Sequence, residues 1–152
     1  MDAVGNAIHG FFAMDHSGYT DQRKLELSET LLRSWGVEKA IESKDIVAAE
    51  QRLLAFIDEN FPGAKIFREW PVSLINDQHQ HLQGWIDMLL ELPDGYIIVD
   101  HKSYHGTDFE EHVKQYEPQL AAYKKAIELA TDKEVTASLI HMPVIGKIFR
   151  FI

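Results

Sequence analysis

The 152 residues predict an α/β fold, a mixed central β-sheet flanked by helices. Three observations carry that expectation. Apolar residues recur at helical spacing as far as Asn60, strand-like runs follow from Lys65, and a helical stretch then separates the third strand from two more.

The opening stretch MDAVGNAIHGFFAMD predicts a short helix with Ile8, Phe11 and Phe12 turned inward. DQRKLELSETLLRSW predicts a second helix, stopped at Gly36. From Ser43 to Asn60, Ile46, Leu53, Leu54, Ile57 and then Phe61 keep helical spacing until FPG ends the run. KIFREWPVSLI is strand-like, NDQHQH is a polar turn, and GWIDMLLELPDGYIIVDHKSY holds two apolar runs that pair as a hairpin. Phe109 to Ala130 is helical apart from Pro118, which either starts a new helix or kinks this one. VTASLIHM and KIFRFI finish as strands on either side of Pro143 and Gly146. One domain over residues 1–152 accommodates this order, with a helical part at 1–62 and a sheet-and-helix core at 63–152.

Composition narrows the function classes. With 45% hydrophobic and 26% charged residues the chain reads as an ordinary folded protein. No apolar run approaches the roughly 18 residues of a membrane span, and no signal peptide opens the sequence, so no membrane partner is expected. Zero cysteines excludes disulfides, thiolate zinc sites and iron–sulfur clusters, and suits the reducing cytoplasm expected as its location. A formal charge of −9 argues against gripping nucleic acid by bulk electrostatics. Acidic residues gathered at a cation site, or a larger assembly that holds the polymer, would reconcile the charge with such a substrate.

The hairpin concentrates its polar residues in one place. Taking Asp94-Gly95 as the two-residue turn pairs Leu92 with Ile97, Leu90 with Val99, and Asp87 with Lys102. Ile86, Met88, Leu90, Leu92, Ile97 and Val99 then share an apolar face. Asp87, Asp100 and Lys102 gather on the other face near one end, the carboxylates diagonal neighbours roughly 7–8 Å apart at the backbone. A lone Asp–Lys pair there would be an ordinary surface salt bridge. Two carboxylates and a lysine at one end of an apolar hairpin point further. Clustered carboxylates repel unless a cation neutralises them, and oxygen ligands of this kind suit Mg²⁺ or Mn²⁺. A neighbouring lysine can orient an attacking water or stabilise phosphoryl charge.

These residues resemble a known family. GWID…IIVDHKS…QLAAY is similar to the RecB-like nuclease domain of the PD-(D/E)XK superfamily, including the C-terminal nuclease domains of AddA- and RecB-type helicase–nucleases. Thirteen positions separate Asp87 from Asp100, and Asp-x-Lys closes the second strand. GNAIH, from Gly5 to His9, is similar to the family's Gly-x-x-x-His signature. REWPV, with Glu69, looks like its Glu-x-Pro strand, and Gln119 with Tyr123 looks like its Gln-x-x-x-Tyr helix. MPVIGKIFRFI resembles the terminal hairpin. The resemblance implies a restriction-endonuclease-like core with the active site at one sheet edge. It implies metal ligation by His9, Asp87, Asp100 and the backbone carbonyl of His101, with Lys102 as catalytic lysine. Gln119 and Tyr123 would line the site and help position DNA, and Glu69 would act as an outer or indirect ligand. The implied reaction is Mg²⁺- or Mn²⁺-assisted phosphodiester hydrolysis, acting as an exonuclease on single-stranded DNA ends in recombination and repair, with a helicase motor or partner subunit.

Departures from the pattern and competing signals remain. His101 stands where many relatives carry Tyr, and its side chain should point to the opposite, buried face. No G-x-x-x-x-G-K-[ST] loop occurs, and the chain starts eight residues before His9, so a motor is expected elsewhere. On local chemistry alone His9 reads as packed or exposed, and Glu69 as a strand residue paired with Arg68 or a neighbour. The two imidazoles of His79 and His81 read as part of a polar turn, and Lys114, Lys124 and Lys125 as a solvated helix face. Trp35 and Trp70 are expected in the core, whereas Trp85 is expected on the face of Asp87. A nuclease-fold module that binds DNA or steadies a helicase complex without cutting is the alternative. An unrelated interaction domain would require His9 to lie far from Asp87.

Overall fold

A computed structural model describes residues 2–151. Met1, which opens the first stretch, and Ile152, which ends KIFRFI, lie outside the described residues. Three helices come first: α1 (Ala3–Phe12), α2 (Asp21–Ser34) and α3 (Ser43–Asn60). Each end has a local cause. Asp2 caps α1 by accepting from the Gly5 N–H at 2.6 Å, and Thr20 caps α2 by accepting from the Arg23 N–H at 3.1 Å. Gly36, at φ 68°, closes α2 with the Val37 N–H bonded back to Leu32 O at 2.9 Å.

The strands β1 (Lys65–Ile75), β2 (His81–Leu92), β3 (Gly95–His101), β4 (Val135–Met142) and β5 (Lys147–Phe151) form one sheet in the order β1-β2-β3-β4-β5. β3 and β4 are parallel and the other neighbours antiparallel, so the sheet is mixed as expected. The crossover between the parallel strands holds α4 (Phe109–Lys114) and α5 (Glu117–Thr131). Pro118 sits in the first turn of α5, where its missing N–H costs nothing, so it starts a helix rather than kinking one.

Helices cover both faces of the sheet. Ile8, Phe11 and Phe12 of α1 join Leu53 and Ile57 of α3 against Met88, Leu90, Ile97 and Val99. On the other face Leu120 and Ile127 of α5 pack on Leu89, Ile98, Val135 and Ile140. A buried clamp holds the connection after α1. Glu50 of α3 accepts from His16 Nδ1 at 2.6 Å and has Lys24 Nζ at 3.9 Å, which ties the segment after α1 to α2 and α3.

Several expectations are corrected here. The hairpin turn is Pro93-Asp94, and Gly95 is the first residue of β3, paired with Leu92. The fixed φ of proline favours this turn, and neither Asp94 nor Gly95 adopts the positive φ that the Asp-Gly turn demands. The register therefore moves by two, pairing Met88 with Val99 and Leu90 with Ile97. A shift of two preserves the faces. Ile86, however, leaves the face of Met88 and packs with the α5 cluster. Glu69, on β1 between the partners of Met88 and Ile86, has φ 52°, and this left-handed residue breaks the alternation of the ribbon. Trp85, expected on the face of Asp87, accordingly lies on the face opposite Ile86 and Asp87. Trp35 and Trp70 are not core residues, with 47% and 40% of their surface exposed. Trp35 lies past the last turn of α2, and Trp70 leans on Phe67 beyond full helical cover.

Candidate active site

The polar residues of the hairpin meet where β3 ends and the crossover to α4 begins. This is an end of the two inner strands β2 and β3, because the parallel β3–β4 pair forces the chain to leave the sheet there. In the observed register Asp87 and Asp100 lie across from each other, one step past the Met88–Val99 pair, instead of diagonally. Both are buried. The His101 N–H donates to Asp87 Oδ2 at 2.8 Å, and Lys102 Nζ lies 3.0 Å from Asp100 Oδ2. Asp100 Oδ2 is thus buried with the Lys102 ammonium as its charge partner.

α1 reaches this end of the sheet from the opposite face. Its apolar residues Ile8, Phe11 and Phe12 anchor the helix, which turns His9 toward the strands. His9 Nε2 lies 2.8 Å from the His101 carbonyl, and Nδ1 lies 3.4 Å from Asp87 Oδ1. His9, Asp87, Asp100, the His101 carbonyl and Lys102 are thus brought together from α1, β2, β3 and the first residue after β3. Glu69 stands close enough for the Asp87 charge to act on it. Tyr123 of α5 lies over Gly84, where a Cβ would fall 2.9 Å from its hydroxyl, and Gln119 Nε2 donates to that hydroxyl at 3.1 Å. Gln119 itself is exposed and, among the described residues, its side chain connects to the group through Tyr123.

The electrostatics of the cluster follow from burial and neighbours. Burial, then the charge of Asp87, pushes Asp100 above the usual carboxylate range, against the pull of Lys102. Burial opposes ionisation of Asp87 as well, yet the hydrogen bond and charge of His9 outweigh it and hold that carboxyl low. Burial likewise works against charging His9, but Asp87 and the His101 carbonyl raise it overall. Glu69 is raised by burial and then by Asp87. Tyr123 is raised by burial and by Asp100 and Asp87, which places its hydroxyl within the field of both carboxylates.

Other residues support the group without any signal in the sequence. The His101 ring is buried and meets His141 of β4, Nδ1 to Nδ1, at 2.9 Å. Burial holds both rings neutral, so one can donate and the other accept. The backbone carbonyl of His141 accepts the Lys102 N–H at 2.9 Å. Lys102 Nζ lies 4.4 Å above the Tyr116 ring, and Tyr116 Oη lies 3.0 Å from His112 Nε2. A cleft of about 390 Å³ lined by His9, Lys102, Tyr104, His112 and Tyr116 opens beside the carboxylates. Only the parallel pairing of β3 with β4 and the placing of α4 bring these side chains here.

A profile of the PD-(D/E)XK nuclease superfamily matches residues 1–147. The chain belongs to the PD-(D/E)XK nuclease superfamily. Its sheet-and-helix architecture is that of the superfamily, whose nucleases generally use divalent metal ions. Among similar proteins is the A subunit of the ATP-dependent helicase/nuclease of Ligilactobacillus salivarius (strain UCC118), 32% identical over 111 residues, which are 72% of this chain and 8% of the relative. The protein of the same name from Clostridium botulinum (strain Hall) is 30% identical over 81 residues, 53% of this chain and 6% of the relative. The chain therefore spans less than a tenth of these relatives.

The donor set is of a kind that suits a divalent metal ion. Among the described residues no three His, Asp or Glu side chains close into a ready-made cage. The fit is by chemistry: two buried carboxylates stand beside a backbone carbonyl and an imidazole. A hard cation that keeps several waters and takes one or two carboxylates suits such an open set.

Proposed function

We propose that this chain is a metal-dependent DNA nuclease domain that hydrolyses phosphodiester bonds, acting as an exonuclease on single-stranded ends in recombination and repair within a helicase–nuclease. One observation carries the reading: two buried carboxylates lie across from each other with His9, the His101 carbonyl and Lys102 around them. Mg²⁺ or Mn²⁺ is the proposed cofactor, held by Asp87, Asp100, His9 and the His101 carbonyl. When bound it supplies the positive charge that polarises a phosphate and acidifies a water. The residue roles are part of this proposal.

The chain's own groups do the rest. Lys102, held by Asp100 and the face of Tyr116, presents an ammonium to a phosphoryl oxygen or to the attacking water. Gln119 and Tyr123 form one hydrogen-bonded unit on α5 that can hold the substrate phosphate next to the carboxylates. Glu69 belongs to the outer layer, through Asp87. Helicase association is proposed from the names of the relatives, and a motor or partner subunit would supply the grip that an acidic chain lacks.

End-labelled single-stranded DNA tests the reading. Cleavage should require Mg²⁺ or Mn²⁺, stop with EDTA, and fall about 100-fold or more in Lys102→Ala. Mn²⁺ binding measured by calorimetry without cutting would instead favour a module that binds but does not cleave.

A further inference from the structure

A lysine ammonium on its four-carbon stem swings widely unless something fixes it. Among the described residues the Lys102 ammonium has two partners, Asp100 Oδ2 at 3.0 Å and the Tyr116 ring at 4.4 Å. Asp100 is also a proposed ligand of the ion, so its charge is shared; the Tyr116 ring is not. What fixes that ring is α4. Tyr116 stands one turn after His112, and its Oη lies 3.0 Å from His112 Nε2. Gln115 Nε2 donates to the His112 carbonyl at 2.9 Å and lies 3.1 Å from His112 Nδ1. With Nδ1 accepting that bond, the imidazole carries its proton on Nε2 and donates it to the Tyr116 oxygen. The Tyr104 ring stacks on the same imidazole, centroids 3.9 Å apart and planes 15° from parallel, and Tyr104 Oη donates to Asp108. His112 is therefore held on one face and at both nitrogens. Its neighbour Val113 is buried in the cluster under α5, which pins α4 to the sheet.

We propose that His112 and Tyr116 are positioning residues for Lys102: the imidazole fixes the phenol, and the phenol ring fixes the ammonium that faces the substrate phosphate. The proposal rests on the nuclease reading. Core packing does not account for the arrangement, because Tyr104, His112 and Tyr116 are only half-buried and line the open cleft that Lys102 and His9 also line. A cation held over a ring keeps its N–H groups free for another acceptor, whereas a carboxylate takes them up. Tyr116 also precedes Gln119 and Tyr123 by three and seven residues, at the start of α5. One edge of that helix thus carries the holder of the lysine and the pair proposed to hold the phosphate.

The test separates placement from chemistry. In EDTA, the Lys102 methylene next to the ammonium sits over the Tyr116 ring and should resonate upfield of other lysines in a ¹H–¹³C spectrum, its signal identified by its absence in Lys102→Met. The upfield position should persist in Tyr116→Phe and vanish in Tyr116→Leu. In the end-labelled DNA assay with Mn²⁺, Tyr116→Leu should lower kcat about tenfold at unchanged KM. Tyr116→Phe and His112→Ala, which keep the ring but untie it, should each lower kcat about threefold. The double variant His112→Ala/Tyr116→Phe should be no worse than either alone, because both remove the same bond. Calorimetric Mn²⁺ affinity should be equal in all these variants. An ordinary Lys102 signal in the wild type, additive losses in the double variant, or Mn²⁺ affinity that falls with kcat would overturn the proposal. Cleavage that still depends on Lys102 would then leave the nuclease reading standing. Conversely, an upfield signal lost in Tyr116→Leu, with no cleavage by any of the proteins, would support the held lysine and sink the nuclease reading alone.

Discussion

Asp100 shows how a proposed ligand opposes the stability of its own fold. Burial and Asp87 raise its carboxyl from near 4 to about 6, so folding of the metal-free protein favours the neutral form. A raised acid of this kind contributes stability below the unfolded value and loses it as pH climbs through the folded value. Asp100→Asn keeps the neutral shape at every pH. In EDTA the variant should match wild type near pH 4 and exceed it by about 1–2 kcal/mol at pH 8, read from chemical denaturation. The same variant should lose metal-dependent cleavage. A wild type as stable as the variant at pH 8 would mean that Asp100 ionises there without cost.

Two glycines separate the demands of fold and site at the level of elements. At Gly95 a Cβ would lie 2.4 Å from the Glu134 carbonyl, whose oxygen accepts the Tyr96 N–H at 2.9 Å. Backbone cannot yield there, so Gly95→Ala should cost about 2–3 kcal/mol by loosening the start of the parallel β3–β4 pair, measured by urea denaturation. At Gly84 the neighbour is the movable end of Tyr123. Gly84→Ala should change stability by less than about 1 kcal/mol, yet lower kcat/KM about tenfold by displacing the hydroxyl that Gln119 holds. Equal losses of stability in both variants would deny Gly84 any part in the site.

For the whole molecule the proposed ion ties together parts that are distant in sequence: α1 through His9, β2 through Asp87 and β3 through Asp100. Binding to the folded state alone should raise stability by about 2.7 kcal/mol at a Mn²⁺ concentration one hundred times Kd. A thermal shift of wild type with Mn²⁺, absent in Asp87→Ala, is the expected outcome. An equal shift in both proteins would place the ion elsewhere. The clamp of His16 and Lys24 on Glu50 belongs to this scale too, because it ties the segment after α1 to α2 and α3.

Most helices and strands were legible in the sequence, because each segment carries its own period and its own stop, such as Gly36 and FPG; the split of the crossover into α4 and α5 at Pro118 was left open, and β2 begins at His81, inside the expected polar turn. The meeting of Asp87, Asp100 and Lys102 at one end of the hairpin was legible as well, since a register error of two leaves side-chain faces unchanged. Three things were decided only by the tertiary structure. The positive φ of Glu69 is a local backbone state that no periodicity announces, and it turned Ile86 to the other face. The contacts of His141, Tyr116 and His112 around the site depend on a parallel strand pair and a crossover between residues far apart in sequence. The exposure of Trp35 and Trp70 depends on which surfaces the helices fail to reach, and cover of that kind is a property of the packed whole. Local chemistry writes the elements and their faces; distances between them arise only when the layers close on one another.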